Sequence, residues 1–76
     1  MKDEIFKAII GEKKFEILEF LLKNQDKNGF VTLSILEISS ATKISRPTII
    51  ATLKFLESKK ILKKLKNGVY KFLVFK

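Results

Sequence analysis

The 76-residue chain has no cysteine, no histidine and no tryptophan, and only one proline and three glycines. Without cysteine there is no disulfide framework, and without histidine as well there is no ordinary zinc-ligand set, so nothing covalent or metallic is expected to staple the fold. The usual instruments of catalysis are also missing: no histidine base, no cysteine nucleophile, no glycine loop to cradle a phosphate. The acids fall mostly on amphipathic helix faces, where solvation accounts for them. No enzyme, cofactor or metal site is therefore expected. No run approaches the ~20 apolar residues of a membrane span, and Asp3 and Glu4 near the start do not suit a signal peptide. Together with the lack of cysteine, this points to a cytoplasmic setting. The length makes one small domain, 1–76, and a core of that size rarely supplies more than ~3–5 kcal/mol, so oligomerisation is expected.

Acids are scarce in one half only. Residues 1–41 carry six lysines against seven acids, whereas residues 42–76 carry ten Lys or Arg against Glu57 alone. The net charge of +8 therefore resides in the second half. An AT-rich coding bias would raise lysine everywhere but would not strip acids from one half, so the asymmetry points to a polyanion at one surface.

The stretch from Ser34 to Tyr70 reads as two capped helices joined by a tight turn and followed by a basic hairpin. Ser34 caps a helix beginning at Ile35, Glu37 has the spacing to close a capping box, and Leu33 with Ile38 forms a staple-spaced pair. Ser45 caps the second helix, Pro47 lies in its first turn, and Ile44 with Ile49 repeats the staple spacing. Only Thr42, Lys43 and Ile44 separate the helices, which forces them to cross steeply, as in a helix-turn-helix. In the second helix Ile49, Leu53 and Leu56 form one apolar stripe for the core. Arg46, Pro47, Ile50, Ala51 and Lys54 then lie on or near the opposite surface, with Thr48 and Thr52 on its flanks. Arg46 opposes the helix dipole, a cost of ~0.3–1 kcal/mol that a phosphate or a guanine edge would offset. An ordinary surface arginine is the competing reading.

Asp3 to Asn24 is helical in pattern, with a possible interruption at Gly11. Ile5, Phe6, Ile9 and Ile10 make one stripe, and Phe15, Ile17, Leu18, Leu21 and Leu22 make another about a quarter turn away. The second stripe is expected to pack under the helix-turn-helix. The first, within a helical extension over 1–12, is expected to meet a second subunit, or else folds onto the same core after a bend at Gly11. The polar run Asn24 to Gly29 ends the helix, and Phe30 to Leu33 is a short strand beside the hairpin. Asn67-Gly68 predicts a type I′ turn between Ile61–Lys66 and Val69–Phe75, with a register that sets Lys64 opposite Lys71 and Leu62 opposite Leu73. Lys64, Lys66 and Lys71 then share a face, and their mutual repulsion would be relieved by phosphate. Lysines that keep a sheet edge soluble are the alternative. Tyr70, Phe72 and Val74 should meet the core. Aromatics at these spacings are more often core than a base-stacking platform. Ile50, off the buried stripe, has the chemistry to touch a thymine methyl, and Phe55 is placed to pack on the N-terminal helix.

Ile38, Thr42, Ile44, Ser45, Arg46, Pro47, Thr48, Ile49, Leu53, Leu56, Ile61 and Leu62 together resemble the helix-turn-helix pattern of bacterial winged-helix DNA-binding proteins, over most of the chain from Gly11 onward. Lys66-Asn67-Gly68-Val69-Tyr70 is similar to the hairpin of RepL-type plasmid replication proteins. The resemblance implies an α+β, mostly α fold: a winged helix-turn-helix in the order α-β-α-α-β-β with an extended N-terminal helix. It implies a small transcriptional regulator of bacterial, plasmid or phage type that binds specific double-stranded DNA. Ser45, Arg46, Pro47, Thr48, Ile50, Ala51 and Lys54 would enter the major groove, and Lys64, Lys66, Asn67 and Lys71 would follow the backbone or enter the adjacent minor groove. A plasmid or phage replication or partition protein would use the same module. A protein-interaction domain working through its N-terminal helix is the alternative of another class. Lys43 and Lys60 depart from the pattern, since many members carry left-handed glycine there, and the turn and helix end are expected to differ in shape. A homodimer through Ile5, Phe6, Ile9 and Ile10 should sediment as such at tens of micromolar; a monomer at that concentration would remove the dimer.

Overall fold

Gly11 divides the long N-terminal helical pattern. Its backbone stands at φ 98 and ψ 147, a conformation that costs a glycine nothing and a side chain much, and α1 (Glu12–Lys23) begins directly after it. The computed structural model describes Glu4, Ile5, Ala8 and residues 11–73. Of the four residues expected to form a dimer face, Ile5 is helical and exposed, while Phe6, Ile9 and Ile10 lie outside the described residues.

The remaining elements are β1 (Phe30–Thr32), α2 (Ile35–Thr42), α3 (Arg46–Ser58), β2 (Leu62–Lys66) and β3 (Val69–Phe72). The order is the expected α-β-α-α-β-β, mostly helical, with one antiparallel sheet in the order β1-β3-β2. α1 packs on both α2 and α3, burying Phe15, Ile17, Leu18 and Leu21, while Leu22 in its last turn stays exposed. Ile49, Leu53 and Leu56 form the buried stripe of α3 as the spacing predicts, and Ile38, Ile44, Val31, Leu62, Tyr70 and Phe72 complete one core. Thr52 is also fully buried, contrary to its expected place on a flank. Its hydroxyl donates to the Thr48 carbonyl at 2.8 Å, which satisfies the donor inside the core.

Helix ends follow local chemistry. At α2 the capping box is complete: the Glu37 amide donates to Ser34 Oγ at 3.0 Å and the Ser34 amide to Glu37 Oε1 at 2.8 Å. Lys43 and Lys60 both occupy the left-handed region, at φ 62 and φ 61. The Lys60 amide reaches the Glu57 carbonyl and the Ile61 amide the Leu56 carbonyl, each at 3.0 Å, which is a Schellman termination. The expected difference in shape is therefore absent: lysine adopts the conformation that glycine would take there, at a strain of roughly 1–2 kcal/mol.

The hairpin corrects the expected register. Lys66 pairs with Val69 across the two-residue loop, but Lys64 pairs with Tyr70, Lys63 with Lys71 and Leu62 with Phe72, because Leu65 is the extra residue of a β-bulge. The uninterrupted register would have turned Lys63 inward and Leu62 outward. Burying a leucine gains ~1.5–3 kcal/mol, whereas burying an unpaired ammonium costs far more. A lost ladder bond costs only ~0.5–1.5 kcal/mol, so the bulge wins. The turn is not type I′ either, since Gly68 has φ 81 while Asn67 keeps a negative φ. A type I′ turn needs positive φ at both central residues, and here Gly68 alone supplies it beside the bulge.

The loop before β1 is closed by Asp26, whose Oδ1 accepts from the amides of Asn28 at 2.8 Å and Phe30 at 3.0 Å. Those donors, Phe30 foremost, hold the Asp26 carboxyl below the 3.8 of a free aspartate. Because the folded value is the lower one, the contribution is present above the unfolded value and lost as pH falls through the folded one. An NMR titration should place the Asp26 midpoint below 3.8; a midpoint at or above it would remove this latch. Lys60→Gly should relieve left-handed strain and raise stability by ~1 kcal/mol, about 4–8 °C in Tm for a domain of this size. An unchanged or lower Tm would show that Lys60 carries no strain.

Candidate nucleic-acid interface

The turn that presents α3 is locked by side chains. Ser39 Oγ donates to the Ile44 carbonyl at 2.7 Å, Thr42 Oγ1 donates to the Ile38 carbonyl at 2.8 Å, and the Ile44 amide donates to Thr42 Oγ1 at 3.3 Å. With Ile44 buried at the corner, the start of α3 is tied to the body of α2. Ser45 occupies the N-cap position, but its hydroxyl pairs with Thr48 Oγ1 at 3.0 Å and makes no capping bond, so the first turn of α3 lacks a side-chain cap.

Because Ile49, Thr52, Leu53 and Leu56 are buried, the other face of α3 is turned outward. Arg46, Pro47, Ile50, Ala51 and Lys54 are exposed on it, with Ser45 beside them and Thr48 partly covered. Between this face and the hairpin runs a cleft of about 370 Å³, lined by Ser34 and Ile35 of the α2 start, Ile50, Leu53 and Lys54 of α3, and Lys64, Asn67, Gly68 and Tyr70 of the hairpin. Its floor is apolar and its only charged lining groups, among the described residues, are Lys54 and Lys64. Burial, and secondarily the charge of Glu57, push the Tyr70 phenol up, so Tyr70 stays neutral in the cleft wall.

The hairpin lysines do not share one face. The bulge brings Lys64 to the side of Tyr70, facing the cleft, and leaves Lys63, Lys66 and Lys71 on the outer surface of the sheet. The like-charge pair is thus Lys63 with Lys71, and the Lys71 ammonium lies over the Phe30 ring at 5.5 Å, a cation–π contact across β1 and β3. Lys63 was not anticipated; pairing the strands so that Leu62 rather than Lys63 points inward would have found it. Ser34 and Ile35 were likewise not foreseen as cleft residues, because only the fold brings the α2 start against the hairpin. Phe55, partly buried, packs toward α1 as expected, with the ammonium groups of Lys14 and Lys59 5.6 and 5.8 Å from its ring centre.

Among the described residues no helix is long and apolar enough to cross a membrane. No curated protein matches the sequence. Among solved structures, the reduced (FeII) CO-sensing protein from R. rubrum is similar, with a TM-score of 0.77 and 20% sequence identity over 92% of this chain. The match covers 35% of that chain, and at this identity the likeness concerns the fold alone. The sequence pattern of the firmicute plasmid replication protein family (RepL) matches residues 5–74, the hairpin included. With that match over nearly its whole length, the chain belongs to the RepL family of plasmid replication proteins.

Proposed function

We propose that the chain binds specific double-stranded DNA in plasmid replication, with α3 in the major groove and the hairpin along the backbone. The observation that carries this reading is the convergence of the exposed α3 face and Lys64 on one cleft that, among the described residues, no carboxylate lines. Ser45, Arg46, Pro47, Thr48, Ile50, Ala51 and Lys54 would meet base edges and adjacent phosphates. Lys64 and Asn67 would follow the strand from the cleft side, and Lys66 would add a phosphate contact at the hairpin tip. Lys71, turned to the outer sheet face and drawn over Phe30, becomes the weakest of the original candidates. Family membership favours recognition of sites in a plasmid over control of a promoter, although a regulator would use the same surface. A homodimer through the apolar N-terminal segment would read two half-sites about one helical turn apart.

Two substitutions separate the roles. Arg46→Ala should cost ~1–3 kcal/mol in affinity and relax sequence preference if Arg46 reads a base. Lys64→Ala should weaken binding to all duplexes alike and reduce the slope of log affinity against log salt by about one. Fluorescence anisotropy across a salt series measures both, and unchanged affinity in both variants would show that this face is not the DNA interface.

A further inference from the structure

The outward face of α3 is poor in the groups that usually read bases. Its exposed residues before the last turn are Arg46 and Pro47 in the first turn, then Ile50, Ala51 and Lys54. There is no asparagine or glutamine to pair with adenine, and the only carboxylate of the helix, Glu57, lies in the last turn and is partly covered. The two hydroxyls at the helix start, of Ser45 and Thr48, are bonded to each other at 3.0 Å. What this face offers is apolar: Ile50 is 42% exposed although it sits beside the buried Ile49, and it lines the cleft with Ile35 and the buried Leu53. In the major groove the one apolar base group is the 5-methyl of thymine. Lys54 of α3 and Lys64 of the hairpin add cations to the cleft lining, with no acid among the described lining residues to repel a phosphate.

We infer that α3 selects its duplex chiefly by thymine methyl groups seated against Ile50 in the cleft lining, while Lys54 and Lys64 hold the phosphates of that strand. The target half-site is a thymine-rich run, with a guanine only where Arg46 reaches. This rests on the DNA-binding reading above and names what that surface selects.

The test uses the full chain and a random duplex pool prepared in two forms, one with thymine and one with deoxyuridine, which differ only by the 5-methyl group. Selection from the thymine pool should enrich thymine runs. The best duplex, resynthesised with deoxyuridine at one thymine at a time, should bind about fourfold more weakly for each methyl that touches the protein. The same replacement should make no difference to Ile50→Ala, whose circular dichroism should match the parent because the residue is on the surface. A parent protein that binds the thymine and deoxyuridine duplexes equally, or an Ile50→Ala variant that still discriminates between them, would overturn the inference and leave DNA binding intact. Failure to bind either pool would overturn the DNA-binding reading, and the inference with it.

Discussion

The burial of one side of α3 is the constraint on which the rest depends. Ile49, Thr52, Leu53 and Leu56 sit where α1, α2 and the sheet meet, and in a chain without cysteine this packing, not a disulfide, holds the helix against the body. Once that side is buried, the direction of every other α3 residue follows from the 100° step of the helix. The locked corner at Ser39, Thr42 and Ile44 fixes the start of the helix, and the Schellman termination at Lys60 fixes its end. The outward face is therefore a rigid presentation rather than an exposed remainder.

Much of this was legible in the residues themselves. The capping box at Ser34 and the stripe of α3 depend on interactions three and four residues apart, and such local chemistry survives any tertiary arrangement. The element order followed from it. Charge asymmetry likewise needed only counting. The hairpin was not legible in the same way, because its register was decided by competition between the turn and the core. Asn67-Gly68 argued for one alignment, but Leu62 had to be inside and Lys63 outside, and only the assembled core makes that demand. Thr52 escaped for a related reason: a hydroxyl looks like a surface group until its own helix supplies the acceptor. Lys43 and Lys60 show the limit of residue preference, since the fold needs a left-handed residue at both places whichever side chain is present.

The electrostatic design is more local than the total charge suggests. Two cations of the second half serve the structure: Lys71 covers Phe30, and Lys59 covers Phe55 together with Lys14 from the first half. Those contacts shield aromatic rings that a small core cannot fully enclose. The cations that border the cleft, Lys54 and Lys64, have no such ring contact among the described residues, and they come from two elements far apart in sequence. A basic half is thus divided between groups that close the core and groups that face outward, and only the second kind can account for a polyanion-binding surface.

The bulge at Leu65 also separates two parts of the hairpin that would otherwise be geared together. Below it, Leu62 and Phe72 belong to the core; above it, Lys66, Asn67 and Gly68 form a tip held to the body by the bond from the Leu33 amide to the Gly68 carbonyl at 2.9 Å. In an unbroken ladder, a residue added to one strand near the tip would turn every side chain below it to the other face. Here the slack sits at Leu65, so the tip can change in length or aim while the core keeps its alignment. The tip is in that sense a replaceable fitting, which a lineage of such proteins can alter without refolding the domain that carries it.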